Sequence, residues 1–399
     1  LHASAQLISR SKHIQSLITQ SRIIPMRLLF LFPFLTGAFA YGEYGIPGWN
    51  CDEEVMRKSA SVPKSVHSLR FADIDVIGAL GDSVTAGNGA GAADEDDNLA
   101  MHVQYRGLTF SVGGDMDLDQ HVTLANVLKK FNPNLFGFSV NTGAANVWEN
   151  AHLNAAVPFS RAINLKNQAM DLVQRMRDHP DKVDIANHWK LIHIFIGGDD
   201  FCLWCSRPEE ESPELFGQHI ADTIQVLKDN LPKTIVVITG MLDVTVLREM
   251  DAANSRCKKE HSIICPCEQS EQFSVDQLRG VCKQYAQAEE SIQSSGRFDT
   301  DDDFTVIVQP FLEETHAAPT LADGTPDVSF FAPDCFHFSQ YGHSVVGKNL
   351  WNNILQPVGE KSMVANLTDL SAPLYCPSKS CPFIRTTKNS VDCGKYFTA

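Results

Sequence analysis

The chain has 399 residues, 43% of them hydrophobic and 20% charged, with a formal net charge of -15 at pH 7. That length and balance suit a folded protein with a substantial core, as one large domain or two of roughly 100 to 200 residues each. The acidic charge, with no block of lysine and arginine, argues against nucleic acid as a partner and against electrostatic docking on anionic membranes.

In chain order, Met26 to Ala40 carries one arginine, a short apolar core and a closing Ala38-Phe39-Ala40. This reads as a secretory signal peptide, too short and too interrupted by Pro33 to span a bilayer. Cleavage after Ala40 starts the mature chain at Tyr41. Residues 1–25 lack an initiator methionine and read as a leader without a fold. A transit peptide is the alternative, because residues 1–27 hold Ser and Arg but no acid. The expected organisation is therefore a leader and signal over 1–40 and one domain over 41–399.

The apolar run Ala72 to Leu80 reads as a buried strand. A glycine-rich loop, Gly87 to Gly91, follows, and Asp94 to Asp97 then read as a mobile acidic rim rather than a calcium loop, since the spaced ligands of an EF-hand are missing. Helical periodicity recurs at Val122 to Phe131, Arg161 to Arg177, Pro213 to Asn230 and Val275 to Ile292. Between these helices stand the apolar runs Leu191 to Ile196, Thr234 to Thr239 and Phe304 to Val308. Ser339 caps a last helix through Leu350 and Ile354, and a Pro- and Cys-bearing tail follows from Gln356. Buried strands alternating with amphipathic helices indicate one α/β domain with a parallel sheet covered on both faces. No later apolar run approaches the roughly 20 residues of a spanning helix.

All eleven cysteines follow Ala40. Scattered as they are, they suggest disulfides in an oxidising compartment, and an odd count leaves at least one unpaired. Cys202 and Cys205 have the spacing of a redox motif but lack its setting, so a structural bridge between them is expected. Cys265 and Cys267 are expected to reach distant partners such as Cys257 or Cys282. Asn366-Leu367-Thr368 is a glycosylation sequon, consistent with a secreted chain.

The first strand stops at Gly81-Asp82-Ser83, at the carboxyl edge of the sheet where open α/β folds place ligands. Ser83 is thus a candidate nucleophile, although the tripeptide alone is weak evidence. A serine hydroxyl needs an imidazole beside it and a carboxylate to orient that imidazole. Asp334-Cys335-Phe336-His337, after the last strand, offers both on one loop.

Together, Gly81-Asp82-Ser83-Val84-Thr85-Ala86-Gly87 and Asp334-Cys335-Phe336-His337-Phe338-Ser339 resemble the GDSL/SGNH hydrolase superfamily. Tyr105-Arg106-Gly107-Leu108 and Trp351-Asn352-Asn353 add similarity to its membrane-associated phospholipase B family. The resemblance implies a flavodoxin-like αβα sandwich with about five parallel strands. It further implies Ser83 as nucleophile, His337 as base, Asp334 as its orienter, and a phospholipid or lysophospholipid substrate handled without a metal or organic cofactor.

The resemblance also exposes two departures in the oxyanion hole. The family's third loop corresponds to Gly197-Gly198-Asp199-Asp200, with Asp199 where the family has asparagine. An ionised carboxylate repels a developing oxyanion, so Asp199 can serve as a donor only if burial keeps it protonated. On the second loop, the family's glycine falls near Phe159, whose ring is expected to obstruct the pocket or redirect the backbone. Two readings follow. One is a secreted serine esterase of phospholipase B type, slowed by its oxyanion hole, with a carbohydrate ester as the alternative substrate. The other is a non-catalytic lipid- or receptor-binding protein that kept the fold.

Overall fold

A computed structural model describes residues 44–92, 100–368 and 371–397. The expected signal peptide and cleavage position, and the acidic run Asp94 to Asp97, lie outside the described residues. Four apolar runs form one parallel sheet in sequential order: β1 (Ile74–Gly81), β2 (Trp189–Phe195), β3 (Thr234–Thr239) and β4 (Phe304–Gln309). These runs are buried on both sides, as parallel strands between helical layers must be.

The helices that matter for the site are α1 (Ser83–Ala86), α2 (Leu124–Phe131), α3 (Ala162–Asp178), α4 (Gly198–Trp204), α5 (Pro213–Asn230), α6 (Leu247–Ala253), α7 (Ser255–Ile264), α8 (Val275–Ser294) and α9 (Gln340–Ile354). The crossover helices α3, α5 and α8 pack side by side on one face, as sequential crossovers of one hand require. A side chain at Gly78 would meet Leu172 of α3. On the other face, His193 and Phe195 of β2 meet Phe110, which stacks on His343 of α9. The αβα sandwich expected from the resemblance is thus present. Among the described residues no helix is long and apolar enough to cross a membrane.

The sheet has four strands where about five were expected, and the fifth position explains the difference. The outer edge of β1 is shared by two short segments. Phe136 exchanges backbone bonds with Asp75 and Ile77, and Leu153 and Ala155 then bond to Ala79. Gly137, at φ 106°, bends the first segment so close to β1 that a β-carbon there would lie 2.1 Å from the Ile77 oxygen. No continuous ladder forms, so the edge is covered without a strand.

Five disulfides pin the loops: Cys51–Cys376, Cys202–Cys265, Cys205–Cys267, Cys257–Cys335 and Cys381–Cys393. The bridge expected between Cys202 and Cys205 does not exist. Both sulfurs lie at the end of α4 beside Cys265-Pro266-Cys267, which presents two sulfurs in matching positions. The distant partners of Cys265 and Cys267 are therefore Cys202 and Cys205, not Cys257 or Cys282. Cys282 is the unpaired cysteine and is buried.

The α6–α7 excursion consequently ties two loops together, α4 through Cys265 and Cys267 and the Asp334–His337 loop through Cys257. The Cys257–Cys335 link spans 78 residues. Replacing both cysteines by alanine is expected to lower stability by about 2–4 kcal/mol, read as a lower denaturant midpoint.

Candidate active site

Ser83 is placed by two adjacent decisions of the chain. β1 ends at Gly81, and Asp82 caps α1 by accepting the Val84 N–H at 2.9 Å. The next side chain, Ser83, therefore sits at the carboxyl edge of the sheet, 5% exposed. Gln168 of α3 clamps this strand end by bonding both the N–H and the carbonyl of Gly81 and the Ser160 hydroxyl.

The Asp334–His337 loop reverses through Cys335 at φ 60°. That turn brings Asp334 Oδ2 to 2.5 Å from His337 Nδ1 while Oδ1 accepts the backbone N–H groups of Phe336 and His337, each at 3.0 Å. His337 Nε2 lies 2.6 Å from Ser83 Oγ. Because a carboxylate only accepts, Nδ1 carries the ring proton and Nε2 faces the serine as an acceptor. The sequence-predicted Ser83, His337 and Asp334 thus form one hydrogen-bonded line.

Burial alone would lower the His337 pKa, but Asp334, Asp82 and Asp199 around it raise it above its ordinary value. For Asp334, burial would raise the pKa, yet the imidazole and two backbone N–H groups hold it below the ordinary value.

Asp199 lies in the first turn of α4, entered through Gly197 at φ 122°. Burial raises its pKa to about 6 against the pull of His337 and Arg161. Asp82 is pushed to about 7 by burial and by Asp199. The expected burial effect at Asp199 is therefore present, and it leaves the group mostly ionised at neutral pH.

Phe159 has φ 62°, a conformation suited to glycine, and its ring is 73% exposed. The ring does not line the cavity at Ser83, so the expected obstruction does not occur, and the backbone at this position takes a glycine-like conformation. Replacing Phe159 by glycine is expected to stabilise the fold by about 1 kcal/mol through relief of that strain, read by chemical denaturation.

Several supports escaped the sequence reading. Asp200 accepts the Ala162 N–H and so joins the third loop to the start of α3. Buried Arg106 donates to the carbonyls of Gly143, Asn154 and Ala156, which props the second loop. Arg106 belongs to a stretch noted for its resemblance, but nothing local tells what a buried arginine will bind. From Ser83 opens a cavity walled by Phe195, Met241, Leu242, Val244, Leu247 and Phe338. Its walls are predominantly apolar, with the Asp82 and Asp199 carboxylates at one side.

Residues 77–350 match the family model described as GDSL-like Lipase/Acylhydrolase. The chain belongs to this family. Among curated relatives it is 40% identical over 351 residues to mouse "Phospholipase B1, membrane-associated", covering 85% of this chain and 23% of that protein. The human protein of the same name is 42% identical over 338 residues, with 84% of this chain and 23% of that protein covered. The chain thus spans about a quarter of the length of these relatives.

Proposed function

We propose that this chain is a serine carboxylic ester hydrolase that releases fatty acyl groups from glycerophospholipids or lysophospholipids. The observation that carries the reading is the Asp334–His337–Ser83 line of hydrogen bonds opening on an apolar cavity. Ser83 Oγ attacks the ester carbonyl as His337 Nε2 takes its proton, and the same imidazolium then protonates the departing alcohol. Water, deprotonated by His337, hydrolyses the acyl-Ser83 ester and regenerates the hydroxyl. Ser83, His337 and Asp334 act as nucleophile, base and orienter, and this chemistry needs no cofactor.

Oxyanion stabilisation would come from backbone N–H groups at Ser83 and the second loop together with Asp199 in its protonated form. The kinship with proteins named phospholipase B1 supports a lipid ester over a carbohydrate ester. We also propose that the protein is secreted and carries a glycan on Asn366. Five disulfides support the oxidising compartment, and Asn366 is exposed.

The test is a fluorophosphonate probe followed by peptide mass spectrometry. A covalent adduct on Ser83, blocked by competing phosphatidylcholine, is expected; the absence of any adduct on Ser83 overturns the proposal. The ionised state of Asp199 favours a second reading, a lipid-binding protein without turnover. Under that reading phosphatidylcholine vesicles bind, but no fatty acid is released even after the oxyanion hole is repaired.

A further inference from the structure

Behind the Asp334–His337 loop, the α6–α7 excursion holds a cluster that the ester chemistry does not use. Among the described residues, Asp251, His261 and Glu268 alone bring three ligand-type atoms within 4.8 Å of one another. A proton on the histidine serves part of this arrangement and leaves Glu268 without a hydrogen-bond partner.

His261 is fully buried, and its Nε2 lies 3.0 Å from the Cys335 carbonyl oxygen. A carbonyl only accepts, so Nε2 carries a hydrogen and the neutral ring presents a bare lone pair at Nδ1. That lone pair faces another acceptor, Asp251 Oδ1, at 2.7 Å. Something positive must lie between them.

Glu268 brings a second carboxylate to the same point. It is 0% exposed, and neither of its oxygens accepts a hydrogen bond. Its ionic neighbour Arg248 lies 3.3 Å from Oε1 and directs its hydrogen bonds to the Glu268 and Ser270 carbonyls instead. A proton on His261 would serve Asp251 and leave Glu268 Oε2 without a partner. A dication serves both.

We propose that Asp251, His261 and Glu268 bind one divalent cation of the zinc class, which braces the loop carrying Asp334 and His337. One imidazole and two carboxylates suit zinc, whereas calcium requires six to eight oxygens. The outer contacts fit as well. A metal-bound histidine ordinarily donates its other N–H to a carbonyl or carboxylate, as His261 does to Cys335, and Gln269 orients Asp251 through its Oδ2 at 2.7 Å.

Ligands of a tetrahedral zinc stand roughly 3.3 Å apart, so the Asp251 carboxylate must withdraw from Nδ1 by less than an ångström. Asp251 is the ligand best able to do so, since its side chain keeps 10% exposure while that of His261 has none. The ion is structural: it acts on the catalytic loop through the His261–Cys335 hydrogen bond and does not touch Ser83.

The test uses the full chain with its disulfides intact, stripped with a chelator and titrated with zinc against a chromophoric competitor. One equivalent is expected to bind and to raise Tm, and cobalt in its place is expected to give the visible bands of a low-coordinate site. Glu268→Gln and His261→Gln, which remove direct ligands, should each weaken binding by about 100-fold or more, beyond the range of losses at outer contacts. Gln269→Ala, on the rim, keeps the question decidable if those buried variants misfold, with an expected loss of about 10-fold. No stoichiometric binding overturns the proposal and leaves His261 and Asp251 as a proton-bridged pair. Binding that is unchanged in all three variants also overturns it, because the zinc then sits elsewhere.

Discussion

Replacing Asp199 with asparagine is expected to raise ester hydrolysis on the order of 100- to 1000-fold near neutral pH, the usual worth of one oxyanion donor. The size of the effect follows from the order in which two groups take up protons. His337 works as a base only when neutral, and its carboxylate neighbours raise its pKa above the ordinary value. Asp199 donates only when protonated, and burial brings its pKa to about 6. As pH falls, His337 therefore takes a proton before Asp199 does.

The productive state, a neutral His337 beside a protonated Asp199, is the minor form of the singly protonated pair. Wild-type activity should accordingly be low and bell-shaped in pH. Asparagine donates at every pH, so the variant should show a single rise as His337 deprotonates, with no alkaline decline from this pair. Removing the Asp199 charge also lowers the His337 pKa, which moves the rise to lower pH. Steady-state fatty acid release across pH tests this. An unchanged bell, or no activity in either protein, would contradict it.

The second large effect is a loss. In the Asp199→Asn background, where turnover is measurable, Asp334→Asn is expected to lower kcat by roughly 10⁴-fold. Asp334 Oδ1 accepts two backbone N–H groups while Oδ2 faces His337 Nδ1. An asparagine keeps the first two bonds by placing its oxygen there, which turns its NH2 toward Nδ1. The ring then carries its proton on Nε2 and points a donor at Ser83 instead of a lone pair. Fold and substrate affinity should survive, so the loss should fall on kcat rather than KM. A proportionate loss in both parameters would point to a disturbed loop instead.

Much of this was readable before any coordinates because the relevant signals are local. Each strand is a predominantly apolar run, and the runs at Ile74 and Leu191 stop at glycine, so the carboxyl edge and Ser83 could be located together. Asp334 and His337 are three positions apart, close enough for one turn to orient them. Asp199 was visible as a departure, and burial supplied the direction of its pKa.

What escaped depends on segments that meet only in space. The cover on β1 consists of Phe136 and Leu153 to Ala155, too short for either to carry a period-two pattern. The pairing of Cys202 and Cys205 requires knowing that α7 ends beside α4. The roles of Arg106 and Gln168 rest on carbonyls and amides whose directions no side-chain pattern encodes.

The disulfide clasp also decides which part of the site can breathe. The third loop and the Asp334–His337 loop are both covalently fastened to the α6–α7 excursion, so opening either should require opening the whole unit, and their amides should exchange slowly with solvent. The loop from Val157 to Ser160 has no disulfide; hydrogen bonds hold it, from the Val157 N–H to Gly81, from the Ser160 N–H to Val157 and from Gln168 to the Ser160 hydroxyl. Local opening in a fold concentrates where stability is lowest. Admission of a substrate to the proposed site is therefore expected to come from the Phe159 side, with Ser83, His337 and Asp199 forming a fixed wall against which that loop moves.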